Sequence, residues 1–203
     1  MIEWLDNNWI EVTGVLLTLV FLYLEVTRRW TMWIVGIISG LFYVYINFNA
    51  GLYALSGLRS YDVIVSIYGI YCWKVARANN RELPFRFITK KLTLRLLLAG
   101  SLVFPAIAFI LIQFAGIENP LASAGSLYTF VLDTLIATLS ALAVWMAAKK
   151  IVESWFLWLV VNPCTIALYV YMEMYPSVFL YLIYTTFSIV GYKQWRKAAI
   201  QQT

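Results

Sequence analysis

Seven long apolar stretches, separated by short polar ones, run the length of the chain: Trp9 to Val26, Trp30 to Asn47, Leu58 to Ala76, Leu92 to Phe114, Leu127 to Ala148, Trp155 to Met172 and Tyr175 to Trp195. A helix needs roughly 20 mostly apolar residues to cross a bilayer. The pattern therefore predicts seven transmembrane α-helices joined by short loops, an all-α membrane protein. The first stretch follows an acidic, Trp-bearing start, MIEWLDNNWIE, without a basic leader or a small-residue cleavage site. It is expected to be a retained helix and not a signal peptide.

Composition strengthens this picture. Of the 203 residues 63% are hydrophobic and 12% charged, about half the charged share of an ordinary soluble domain. Seven spans take about 140 positions, which leaves no room for a separate soluble domain. The basic excess has a direction. All of the 15 Lys and Arg residues except Arg59 fall around the first-to-second, third-to-fourth and fifth-to-sixth links or at the end of the seventh span, which strict alternation puts on one side of the membrane. By the positive-inside rule that side is cytoplasmic, so the N-terminus is expected outside and the C-terminus inside. The net charge of +5 is thus an orientation signal that meets lipid headgroups, with no nucleic acid partner implied. Tryptophans near span ends, Trp4, Trp9, Trp30, Trp73, Trp155 and Trp195, suit an interfacial aromatic belt.

The chain also resembles itself. Trp30-Thr31-Met32-Trp33 is matched by Trp155-Phe156-Leu157-Trp158, Tyr43-Val44-Tyr45 by Tyr169-Val170-Tyr171, and Gly69 with Trp73 by Gly191 with Trp195. This predicts a 3+1+3 arrangement: a three-helix repeat over residues 1–78, a basic loop and linker helix over 79–122, and a second three-helix repeat with the tail over 123–203. Three spans are an odd number, so one linker helix returns the chain to its starting side and makes the repeats parallel, as in SWEET sugar transporters. In such folds the substrate site lies near the bilayer midplane, between the repeats.

Polar groups within hydrocarbon are costly and either satisfy one another or face a pathway. Asp133, beside Thr134, lies roughly 9 Å into the fifth span and Asn162 roughly 10 Å into the sixth, at 1.5 Å per residue. Pro163 has no N–H to offer the Leu159 carbonyl, so this carbonyl and the Asn162 amide could bind a polar ligand. The alternative for Asn162, and for Asp133 with Thr134, is a hydrogen bond between helices. Trp155 and Trp158 share a helix face and could wall a flat cationic ring. Trp158 and Trp33 lie a turn deeper than the belt, and Tyr169 adds a further aromatic candidate. Arg59 and Asp62, three residues apart, form either a neutralised pair or a gate contact. The chain has no histidine, and Cys72 and Cys164 match no metal or thiol spacing, so no metal, cofactor or catalytic set is expected.

The sixth span, KKIVESWFLWLVVN followed by YVY, together with LYLIY and IVGYKQW of the seventh, closely resembles the PnuC-type vitamin transporter family through its W-x-x-W-x-x-x-N and G-Y-x-x-W patterns. The resemblance implies a 3+1+3 fold like that of a full-length SWEET protein, a homotrimer in the bacterial inner membrane, and facilitated diffusion of nicotinamide riboside or a related B vitamin. It further implies trapping by a cytoplasmic vitamin kinase, and the chain itself carries no G-x-x-x-x-G-K-S/T phosphate loop. The aromatic motif falls on Trp155 and Trp158 and the polar position on Asn162. Riboside carriers are expected to have glutamine before the fifth-span tryptophan. Here Val144 precedes Trp145, which keeps thiamine beside nicotinamide riboside. The competing readings are a non-transporting scaffold or receptor and, more remotely, an intramembrane lipid-modifying enzyme, for which no acid, base and stabiliser come together.

Overall fold

The computed structural model describes residues 13, 16–17, 19–49, 53–75, 83–114, 124–171 and 175–202. Expectations placed on Glu3, Trp4, Asp6, Trp9, Arg77, Arg81, Glu118 and Glu173, and on the boundaries near 78 and 122, lie outside the described residues. The described residues form seven helices: α1 (19–26), α2 (Met32–Asn49), α3 (Tyr53–Ile70, ending in a π turn over Tyr71–Val75), α4 (Lys90–Phe114), α5 (Ala124–Ala148), α6 (Ser154–Tyr171) and α7 (Tyr175–Gln202). Among the described residues there is no strand, only an isolated bridge between Arg86 and Ile151. Lys90–Gln113, Leu127–Ala148 and Ser154–Tyr171 are long and apolar enough to cross a membrane, so the chain is a multi-pass membrane protein.

Two helix ends set the frame. At the end of α1 the N–H of Arg29 bonds the Leu24 carbonyl and that of Arg28 bonds the Glu25 carbonyl, with Arg28 at φ 59°. At the end of α5, Ile151 bonds Met146 and Lys150 bonds Ala147, with Lys150 at φ 56°. Each is a Schellman stop, in which a left-handed residue lets the last carbonyls find donors. The following turns match bond for bond: Met32 to Arg29, Trp33 to Trp30 and Ile34 to Thr31 in one, Ser154 to Ile151, Trp155 to Val152 and Phe156 to Glu153 in the other. Every pair is separated by 122 positions. Trp33 therefore corresponds to Trp155, and the sequence match of Trp33 with Trp158 is three residues out. A three-residue slip keeps a side chain on nearly the same helix face, so the pattern alone could not detect it; the turn geometry does.

α2 packs on α3, and α5, α6 and α7 pack in succession, while α3 meets α5 and α4 lies mainly along α5. α4 starts behind a Thr89 cap, whose Oγ1 accepts from the Leu92 N–H at 3.3 Å. Its Leu94, Leu97, Leu98 and Leu102 point outward, as suits a helix surrounded by lipid or another chain.

The tightest packing gathers at the end that carries Arg28, Arg29, Lys149 and Lys150. Its centre holds Trp33, Trp73, Trp155 and Trp195. Trp73, Trp155 and Trp195 are thus interior residues and not the interfacial anchors expected from their place at span ends. Gly69 accommodates the Trp33 ring and Gly191 the Trp155 ring, and a Cβ at either glycine would fall inside the indole contact distance. Overpacking of this kind costs about 1–3 kcal/mol. Gly69→Ala and Gly191→Ala are each expected to lower the unfolding temperature of the detergent-solubilised protein, whereas Gly57→Ala, where a Cβ meets nothing within 4 Å, should leave it nearly unchanged.

Candidate functional site

The candidate residues of α6 lie on one stripe. Trp155, Trp158, Asn162 and Tyr169 follow at spacings of three, four and seven, which a helix places along one side. They face α7. Trp155, 0% exposed, sits under Gly191 with its ring edge-on to Trp195 at 5.4 Å. Asn162, 3% exposed, donates from Nδ2 to Ser188 Oγ at 3.1 Å, and the Ser188 hydroxyl donates to the Tyr184 carbonyl at 2.8 Å. Further along, Tyr169 meets Tyr181 at 5.5 Å and Tyr181 meets Tyr184 at 5.0 Å. Aromatic rings thus flank a buried amide on both sides. The indole N–H groups of Trp155 and Trp158 are buried without an acceptor among the described residues, a cost of about 1–3 kcal/mol each unless a further group meets them.

The other candidates are placed differently. Trp33, 1% exposed, repeats the Trp155 arrangement in α2 and α3: it lies under Gly69, edge-on to Trp73 at 6.1 Å, and its N–H also has no acceptor among the described residues. Thr134 is fully buried in α5 and bonds its own helix at the Phe130 carbonyl, at 2.8 Å. Asp133, one position before it, is on an exposed side of α5. The Arg59–Asp62 pair forms at 3.3 Å, with the guanidinium 5.2 Å from the Tyr43 ring. Cys72 and Cys164 are free thiols.

Several contacts across the structure carry almost no signal in the sequence. The indole N–H of Trp73 on the α3 extension donates to the carbonyls of Ala147 (3.3 Å) and Ala148 (3.2 Å) at the end of α5. The indole N–H of Trp195 on α7 donates to the Glu25 carbonyl at the end of α1, at 3.0 Å. Glu25 and Ala147 are themselves 122 apart, so the exchange is reciprocal. The two indoles stand 5.6 Å apart and Phe85 completes a triangle with them, 5.6 Å from Trp73 and 5.1 Å from Trp195. Phe85 is held by backbone: its N–H meets Gln202 Oε1 at 2.7 Å, Arg86 exchanges two bonds with Lys150 and Val152, and Ile88 N–H meets Glu153 Oε2 at 2.8 Å. Lys150 Nζ lies 5.2 Å from the Trp73 ring and 5.3 Å from Phe85. The only trace of this in the sequence was the paired G-x-x-x-W of residues 69–73 and 191–195. Ser188 left no trace, because a serine in an apolar helix carries no sign of its partner.

The solved structure described as the crystal structure of the vitamin B3 transporter PnuC has the same fold: TM-score 0.72 at 21% identity, covering 98% of this chain and 85% of that one. The nicotinamide riboside transporter PnuC of Escherichia coli (strain K12) is 24% identical over 209 residues, covering 96% of this chain and 87% of the relative. The riboflavin/roseoflavin transporter RibM of Streptomyces davaonensis is 26% identical over 190 residues, covering 92% and 84%. These relatives are transporters and not enzymes. The family model described as nicotinamide mononucleotide transporter matches residues 8–197, nearly the whole chain, and the protein belongs to that family.

Proposed function

We propose that the protein carries a flat B vitamin across the bacterial inner membrane by facilitated diffusion, with nicotinamide riboside as the first candidate substrate. The near full-length match to a nicotinamide riboside transporter carries this reading. The α6–α7 stripe supports it, because aromatic rings and a buried amide suit a planar cation with polar appendages. Thiamine remains the second reading: Val144, where riboside carriers are expected to have glutamine, is half-buried against the tryptophan core and offers no hydrogen bond. Riboflavin enters as a third ligand to test through RibM. Entry without ATP requires trapping, which we assign to phosphorylation by a cytoplasmic vitamin kinase. We assign the outward leucines of α4 to lipid or to the neighbours in a homotrimer.

The mechanism we infer is alternating access by two parallel three-helix units, in the SWEET manner, with the basic end cytoplasmic. In this conformation that end is closed. Each unit lends an indole N–H to the last carbonyls of the other, and Phe85 packs against both indoles. Two indole–carbonyl bonds contribute about 0.5–1.5 kcal/mol each, and cation–π contacts from Lys150 about 0.5–2 kcal/mol. A closure of a few kcal/mol holds one state while leaving the other within thermal reach.

Proteoliposomes containing the purified protein should take up radiolabelled nicotinamide riboside saturably and without ATP; uptake of thiamine or riboflavin in its place would reassign the substrate, and none of the three would defeat the transport reading. The closure has its own reporter in Cys72, 2% exposed beside Trp73. In a Cys164→Ser background, Trp195→Phe keeps one aromatic ring and removes the N–H with part of the indole, the bond alone contributing about 1 kcal/mol. Its Cys72 should react roughly fivefold faster with a membrane-impermeant maleimide from the cytoplasmic side, and an unchanged rate would remove the indole bond from the closure.

A further inference from the structure

The correspondence between the two units fails in mid-helix, and the failure is informative. At the spacing of 122, Trp158 and Asn162 on α6 stand where α2 has Gly36 and Gly40. The two glycines let α2 and α3 close together: a Cβ at Gly36 would lie 2.7 Å from Ser66 Oγ, and one at Gly40 2.5 Å from Val63 Cγ2. The second unit instead places an indole and an amide at this level. The serines on the facing helices do correspond, Ser66 on α3 and Ser188 on α7, and each donates its hydroxyl hydrogen one turn back, to Asp62 (2.7 Å) and Tyr184 (2.8 Å). With its hydrogen so committed, Ser188 Oγ can only accept toward α6. It accepts from Asn162 Nδ2 at 3.1 Å. Turning the amide over would set its oxygen against the serine lone pairs, so the serine decides which end of the amide remains for anything else.

We propose that Ser188 is a positioning residue for substrate recognition: by accepting one of the two Asn162 Nδ2 hydrogens it fixes the orientation of the amide and leaves Oδ1 as the acceptor offered to the vitamin. The inference rests on the transport reading above and deepens it by naming the chemistry of the substrate edge. The Leu159 carbonyl, which Pro163 inside α6 cannot serve, adds a second acceptor one turn away. Beside the indole N–H donors of Trp155 and Trp158, the α6 side of the site thus offers two acceptors around Asn162, and these select a ligand edge that carries an N–H. Nicotinamide riboside presents a carboxamide NH2, thiamine an exocyclic amine and riboflavin an imide N–H. Each has an analogue without that donor: nicotinic acid riboside, 4′-deaminothiamine and 3-methylriboflavin.

The test measures Kd by calorimetry on the detergent-solubilised full chain, using whichever of the three vitamins the wild type binds and its paired analogue. Wild type should prefer the donor-bearing member by roughly tenfold or more, since a site built around a hydrogen bond rejects a ligand that lacks it. Ser188→Ala frees the amide to turn and should bring the preference below about threefold, whereas Ser188→Thr, which keeps the hydroxyl, should retain it. Asn162→Asp, an isosteric change that offers acceptors whichever way it turns, should retain the preference as well and serves if Ser188→Ala does not fold. A wild-type preference near one, a preference that survives Ser188→Ala, a loss in Ser188→Thr equal to that in Ser188→Ala, or a preference reversed by Asn162→Asp overturns the role of Ser188 while leaving the transport reading standing. A wild type that binds none of the vitamins overturns both.

Discussion

The structure turns on how two helix ends, buried in an apolar surrounding, satisfy their last carbonyls. An α-helix leaves its final carbonyls without intrahelical donors, and where water is scarce each must be met from elsewhere. The ends of α1 and α5 solve part of this with Schellman turns and the rest with an indole N–H from the opposite unit. Neither unit completes its own helix end, so the two are locked into one relative arrangement at the basic side. The large rings follow from the same requirement. Trp73 and Trp195 must reach across the gap, Trp33 and Trp155 must pack behind them, and Gly69 and Gly191 must leave the space.

This arrangement also explains why the burial is uneven. The basic end is filled by interlocking aromatics, whereas many apolar side chains along α3, α4 and α7 face outward. In a bilayer such side chains gain little from turning inward, because lipid is as apolar as they are. Packing then concentrates where hydrogen bonds and ring contacts, and not the hydrophobic effect, hold helices together. Conformational change needs the same economy: one end closed by a small number of specific bonds can open without unpacking a whole core.

Repetition and asymmetry have separate uses here. The turns that correspond at 122 positions build a frame with nearly equal halves, and in that frame the substitution of Gly36 and Gly40 by Trp158 and Asn162 gives one half a polar, aromatic interior. A two-fold frame alone would present the same surface twice. On the proposed function, the place where the halves differ is the one suited to a small, unsymmetrical vitamin.

Much of this was legible in the amino-acid sequence. Apolar runs and the placement of cations specify helices and their expected orientation, because hydrocarbon excludes unpaired charge and unbonded backbone wherever it is met. The W-x-x-W-x-x-x-N pattern located the α6 stripe, because helical spacing is a local property. Three things were decided only by tertiary structure: the register between the related halves, the burial of Trp73, Trp155 and Trp195, and the partners of Phe85 and Ser188. A slip of three residues preserves a helix face, an indole suits an interface as well as a core, and a serine hydroxyl reads alike whether it faces lipid or an amide. Each ambiguity is resolved by what lies opposite in space, and that neighbour is supplied by a residue 26 to 170 positions away.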